Sequence, residues 1–87
     1  MPGVFKARYT HGFLVDLRKL QSRLQERILE AIETKFLADP FKHAKKLTAK
    51  SEPGRWRFRV GDYRIRFDIE ARRLAFYRVR HRREIYD

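Results

Sequence analysis

The chain has 87 residues, a length that suits one small domain, and we read residues 1–87 as a single unit. Hydrophobic residues make up 43% and aromatic residues 14%, enough for a compact core; cysteine is absent, which excludes disulfides, thiolate metal sites and a cysteine nucleophile. Lys and Arg number 22 against 11 Asp and Glu, a net charge of +11 that favours polyanionic partners.

The charge is uneven along the chain. Residues 54–87 carry 11 basic and 5 acidic side chains, and every one of those basic residues is arginine. All seven lysines fall in the first 50 residues. A guanidinium is a planar fork of donors that matches phosphate in two places and stacks on bases. The three histidines, His11, His43 and His81, lie far apart with no metal-ligand spacing, so no metal or other cofactor is expected. No apolar run approaches the roughly 18–20 residues that span a membrane, and no signal peptide opens the sequence. The cytoplasm is the expected compartment.

In chain order, Val4 to Tyr9 alternates Phe5, Ala7 and Tyr9 with Lys6 and Arg8, a short strand. Thr10 can cap a helix carrying Phe13, Leu14, Leu17 and Leu20 at helical spacing. Gln21 and Ser22 read as a break. Ser22 and Gln25 have the spacing of a capping box for a second helix. Its apolar stripe is Leu24, Ile28, Ala31, Ile32 and Phe36, and it should stop near Ala38 because Asp39 precedes Pro40. Mixed charge on this helix, Glu26, Glu30 and Glu33 with Arg23, Arg27 and Lys35, argues against a basic membrane anchor.

Residues 40–54 read as a polar connector carrying Lys42, Lys45, Lys46 and Lys50, anchored to the core by Leu47 and closed by a turn at Pro53-Gly54. The period then changes to two. Trp56, Phe58 and Val60 alternate with Arg55, Arg57 and Arg59; Gly61-Asp62 supplies a two-residue loop; Tyr63, Ile65, Phe67 and Ile69 alternate with Arg64, Arg66 and Asp68. After a charged turn at 70–73, Leu74 to Val79 is a further strand and His81 to Asp87 a polar tail. The expected fold is α+β: an antiparallel sheet of about four strands with an αα-hairpin on one face, in the order β-α-α-β-β-β. The other face, or its edge, displays the arginines. Arg57 and Arg59 lie roughly 6.5–7 Å apart on one side of their strand, close to the spacing of successive phosphates. Arg64 and Arg66 share their parity. Such a cluster repels itself unless an anion fills it.

The run Gly54-Arg55-Trp56-Arg57-Phe58-Arg59-Val60-Gly61-Asp62-Tyr63-Arg64-Ile65, with Val79-Arg80-His81-Arg82-Arg83-Glu84-Ile85-Tyr86, resembles the RelE/ParE superfamily of bacterial and archaeal toxins. The resemblance covers essentially the whole chain. It implies the toxin of a type II toxin–antitoxin pair, partnered by an antitoxin and, for RelE-type members, by mRNA and the ribosome. These cut mRNA in the ribosomal A site by attack of the ribose 2′-OH on the adjacent phosphate. Carried over residue by residue, the resemblance assigns Arg64, Arg82 and Tyr86 to catalysis, with His81 as a second acid/base candidate. Arg57 and Arg59 stand where the best-known RelE toxins carry lysines. Arginine effectively cannot lose its proton, so these two suit phosphate clamps rather than a base. Arg55, Arg66, Lys45, Lys46, Arg80 and Arg83 complete the expected RNA-binding set. ParE-type members share the fold but poison DNA gyrase, and a non-catalytic RNA-binding homologue is a third reading.

Overall fold

The computed structural model describes residues 5–47 and 54–84. The elements run β1 (Lys6–Tyr9), α1 (His11–Arg18), α2 (Ser22–Ala31), a π-helical turn (Ile32–Phe36), α3 (Pro40–His43), β2 (Lys45–Lys46), β3 (Trp56–Val60), β4 (Tyr63–Glu70), β5 (Arg73–His81) and a 3-10 turn (Arg82–Glu84). The five strands form one sheet in the order β1-β5-β4-β3-β2.

The expected α+β architecture stands, with two corrections to the sheet. A fifth strand, β2, lies within the stretch read as a connector, where Lys45 pairs with Arg57 and Lys46 with Trp56. The sheet is also mixed, because β1 lies parallel to β5 at the opposite edge. The reason is topological: the helices carry the chain across the sheet, so the first strand meets the last one running in its own direction. The connector also holds α3, where Pro40 occupies the first turn and the Asp39 side chain accepts from the Lys42 N–H. Leu47 is half-buried and is tied in by its backbone, its N–H donating to the Arg55 carbonyl at 2.7 Å, rather than by a place in the core.

Helix starts reflect local chemistry. The Thr10 hydroxyl accepts from Phe13 N–H at 3.2 Å, as expected of a cap. The capping box does not form. Ser22 is already inside α2, Gln21 is the N-cap residue without a side-chain bond, and the Gln25 amide donates instead to the Leu20 carbonyl. The second helix continues to Phe36 but loosens into the π-turn, where Leu37 N–H donates to the Ile32 carbonyl at 2.9 Å.

The core lies between the helices and one sheet face. Phe13, Leu17, Ile28, Ile32 and Phe36 meet Phe58, Ile65, Phe67, Leu74, Phe76 and Val79, all buried. Phe36, Phe58 and Phe67 form a column of stacked rings with centroids 3.6 and 4.1 Å apart. Fully burying one such side chain is worth about 1.5–3 kcal/mol. The hairpin from β3 to β4 turns on Gly61-Asp62 as expected, with positive φ at Gly61 alone, as a type II′ turn requires.

β1 covers β5 only as far as Phe76. Beyond it, α1 takes over the exposed edge. The Thr10 hydroxyl donates to the Phe76 carbonyl at 2.8 Å, and the buried Asp16 carboxylate accepts from Val79 N–H at 2.9 Å. Asp16 Oδ2 also stands 3.0 Å from Arg78 Nε. A β-bulge accompanies this junction: Arg66 pairs with Arg78 but Phe67 with Phe76, which leaves Tyr77 as the extra residue. Replacing the carboxylate would orphan an edge N–H and a guanidinium together. We expect Asp16→Ala to lower the unfolding free energy by about 2–3 kcal/mol in urea titrations, against a much smaller change for the exposed Glu26→Ala.

Candidate nucleic-acid interface

The register sets the arginines in two rows across three strands. Arg59 pairs with Arg64 and Arg64 with Arg80; Arg57 pairs with Arg66 and Arg66 with Arg78. Lys45 extends the second row through its pairing with Arg57. Side chains directly opposite each other across strands have Cβ atoms about 4.5–5.5 Å apart, so each row is a ladder of like charges. All lie on the parity opposite Phe58, Ile65 and Val79, the core face.

The rows are not equivalent. Arg66 is buried, and its Nε and Nη2 donate to the Gly54 carbonyl at 3.0 and 2.6 Å. This corrects the expectation of an outward guanidinium at that position: Arg66 clamps the chain entering β3. Gly54 sits at φ +96°, and a Cβ there would stand 2.9 Å from the Phe67 nitrogen, so the clamp needs a glycine. Arg78 is held against Asp16. The row Arg59–Arg64–Arg80 lacks such anchoring at its ends. Arg59 is exposed, and Arg80 Nε is buried with no hydrogen-bond partner among the described residues.

The remaining expected residues are spread out. β5 runs on to His81 instead of ending at Val79, which gives His81 the parity of Tyr63, away from Arg64 and Arg80. The His81 and Tyr63 rings meet edge to face at 5.2 Å, and His81 Nδ1 accepts from Arg83 N–H at 3.1 Å. Arg82 and Arg83 are exposed on the 3-10 turn. Arg82 N–H donates to the Asp62 carbonyl at 2.8 Å, and its guanidinium lies 3.8 Å from the Asp62 carboxylate. Lys46 lies over the Trp56 ring at 6.0 Å, and Arg55 N–H donates to Asp68 at 2.7 Å, so both stand apart from the rows beside acidic neighbours. Tyr86 lies outside the described residues. Among the described residues no group of His, Asp and Glu could hold a metal, and no helix is long and apolar enough to cross a membrane. Asp16, which holds Arg78, and the bulge at Tyr77 carry no sequence signal beyond one acidic residue on a helix.

A family model described as the ParE toxin of type II toxin–antitoxin systems matches residues 7–86. The chain belongs to this toxin family. It is 33% identical over 86 residues to Toxin RelE3 of Methanocaldococcus jannaschii, covering 94% of this chain and 96% of that one. Among solved structures it resembles the RelBE2 toxin–antitoxin complex of Mycobacterium tuberculosis, with a TM-score of 0.80 at 25% identity, covering 90% of this chain and 98% of the other. The RelB–RelE antitoxin–toxin complex from Methanococcus jannaschii gives a TM-score of 0.65 at 29% identity, covering 91% and 94%. The chain is thus a type II toxin of the RelE/ParE superfamily, as its hairpin and tail suggested. For this toxin, Arg66→Met is expected to cost about 1–3 kcal/mol of stability, read by urea unfolding, because the Gly54 carbonyl loses its donors.

Proposed function

We propose that this toxin is an endoribonuclease that cuts mRNA in the ribosomal A site. The 2′-OH attacks the adjacent phosphorus, the bond to the 5′-oxygen breaks, and a 2′,3′-cyclic phosphate and a 5′-OH result. The observation that carries the reading is the cross-strand row Arg59–Arg64–Arg80 on the sheet face opposite the core. Guanidinium groups aimed at one phosphate from three strands stabilise the charge that builds up on its equatorial oxygens. Arg57 and Lys45 hold the next phosphate of the strand.

The row favours Arg80 over Arg82 as the second arginine at the phosphorane. Arg82 is engaged with Asp62 beyond the end of the strand. An arginine cannot serve as base, so the proton leaving the 2′-OH falls to Tyr86 or to a group of the ribosome, and the departing 5′-oxygen takes its proton from water. His81 becomes a positioning residue in this reading: its Nδ1 accepts from the Arg83 N–H, which holds the 3-10 turn at the end of β5. An antitoxin with an acidic segment would neutralise the basic face, and the solved relatives from Mycobacterium tuberculosis and Methanococcus jannaschii are complexes with antitoxins.

A second reading is inhibition of DNA gyrase. It is favoured by the ParE description of the family model and by the turn of His81 away from the arginine row. One assay separates the two. Purified toxin is incubated with a message alone and with the same message on programmed ribosomes, and new 5′ ends are mapped by primer extension. Cuts are expected only on ribosomes, at A-site codons, and should fall about 10²–10³-fold in Arg64→Ala and in Arg80→Ala. They should persist in Arg82→Ala. No cuts from folded protein, together with loss of gyrase supercoiling, would establish the second reading instead.

A further inference from the structure

The arginine rows run out at the β3 edge into a second feature. β2 covers β3 only at Trp56 and Arg57, so Phe58 to Val60 have no outer strand among the described residues. In place of a strand there is a cleft of about 560 Å³ between this edge and the end of α2 with its π-turn. Arg27, Lys35, Lys45, Arg57 and Arg59 line it, and among the described lining residues Glu30 is the one carboxylate. Among the described residues, Arg27, Lys35, Lys45 and Arg59 make no ion pair. Arg27 reaches across from α2 to the hairpin: a Cβ placed on Gly61 would stand 3.8 Å from its guanidinium.

The wall itself is irregular. π-turns are rare and collect at functional sites. The extra residue in such a turn rotates the next stretch of helix by about 100° relative to a regular one. Here the π-turn contributes Thr34, Lys35 and Phe36 to the cleft. Phe36 stacks on Phe58 below, and the His43 ring stands 5.7 Å from Phe36 at the mouth. Arg27, Lys35, Lys45 and Arg59, gathered in one concavity without ion pairs among the described residues, raise each other's energy, and an anion entering the cleft relieves that cost.

We propose that this cleft is a second phosphate-binding site, which holds the RNA strand as it leaves the arginine face over the open β3 edge. Arg27, Lys35 and Lys45 grip its phosphates, and the His43 ring lies beside a base. Arg57 and Arg59 belong to both surfaces and make the track continuous. This inference rests on the RNA-cleaving reading and extends it to nucleotides away from the scissile bond.

The test uses fluorescein-labelled oligoribonucleotides, 2′-O-methylated so that they cannot be cut, in a trinucleotide and a nonanucleotide length. Binding is followed by anisotropy across a salt series. For the double variant Arg27→Gln and Lys35→Gln, nonanucleotide affinity should fall about tenfold, and the slope of log K against log salt should flatten by about 1.4, near 0.7 for each phosphate released. Trinucleotide affinity should stay within twofold. A control with the same charge loss elsewhere, Arg18→Gln and Arg72→Gln, should leave both lengths within twofold. Equal nonanucleotide affinities in the cleft variant and this control would overturn the cleft site. So would a parallel loss of both lengths in the cleft variant, since the substitutions would then be acting on the arginine face. The RNA-cleaving reading fails separately, if trinucleotide affinity survives Arg64→Gln or if the unaltered toxin binds neither length at low salt.

Discussion

Like charges stacked across neighbouring strands are the constraint around which this molecule is organised. Arg59, Arg64 and Arg80 share one row, and Lys45, Arg57, Arg66 and Arg78 share the next. Each directly opposed like pair destabilises a sheet by a few tenths to about 1 kcal/mol. The opposite face outweighs this. Phe58, Ile65, Phe67, Phe76 and Val79 are buried there under the helices, and the stacked column from Phe36 through Phe58 to Phe67 locks their positions. Because side chains alternate with a period of two, a slip of one residue would bury arginine and expose phenylalanine. The aromatic core therefore dictates the arginine geometry, and the arginine face takes its shape from packing on the opposite face of the sheet.

The fold then divides its arginines by what they meet. Arg66 is spent on the Gly54 carbonyl and Arg78 on Asp16, and both connections close gaps at strand ends where backbone groups would otherwise be unsatisfied. Arg82 joins the last turn to the hairpin loop at Asp62. The cations assigned to RNA in the proposed reading are Arg59, Arg64 and Arg80 of one row, with Lys45 and Arg57 where β2 meets β3.

Much of this is legible in the sequence. The alternation from Trp56 to Ile69 and the Gly61-Asp62 loop specify the hairpin, its register and the shared parity of Arg57, Arg59, Arg64 and Arg66, because period and turn length leave one pairing. Thr10 and Asp39-Pro40 mark the helix limits. The features that escape a sequence reading depend on distant partners. Lys45-Lys46 is a strand only because the β3 edge accepts it, and two residues carry no period of their own. The parallel pairing of β1 needs the position of β5. The π-turn hides within Ile28, Ile32 and Phe36, which continue a regular stripe. Ending the strand at Val79 leaves His81 in a polar tail, whereas two more residues of strand turn it towards Tyr63. Arg66 fits the outward pattern, and only the path of Gly54 shows what it binds.

The central claim, that the arginine rows are held against their own repulsion for the sake of an anion, is tested most directly by urea unfolding of Arg59→Gln with Arg80→Gln beside the unaltered toxin, at low and at high ionic strength. The account predicts that the variant is the more stable by about 1 kcal/mol at low salt, that the difference shrinks as salt screens the rows, and that a short uncleavable oligoribonucleotide reverses the order. A variant that is less stable at every salt concentration would contradict it, because the arginines would then be holding the sheet together rather than waiting for a ligand.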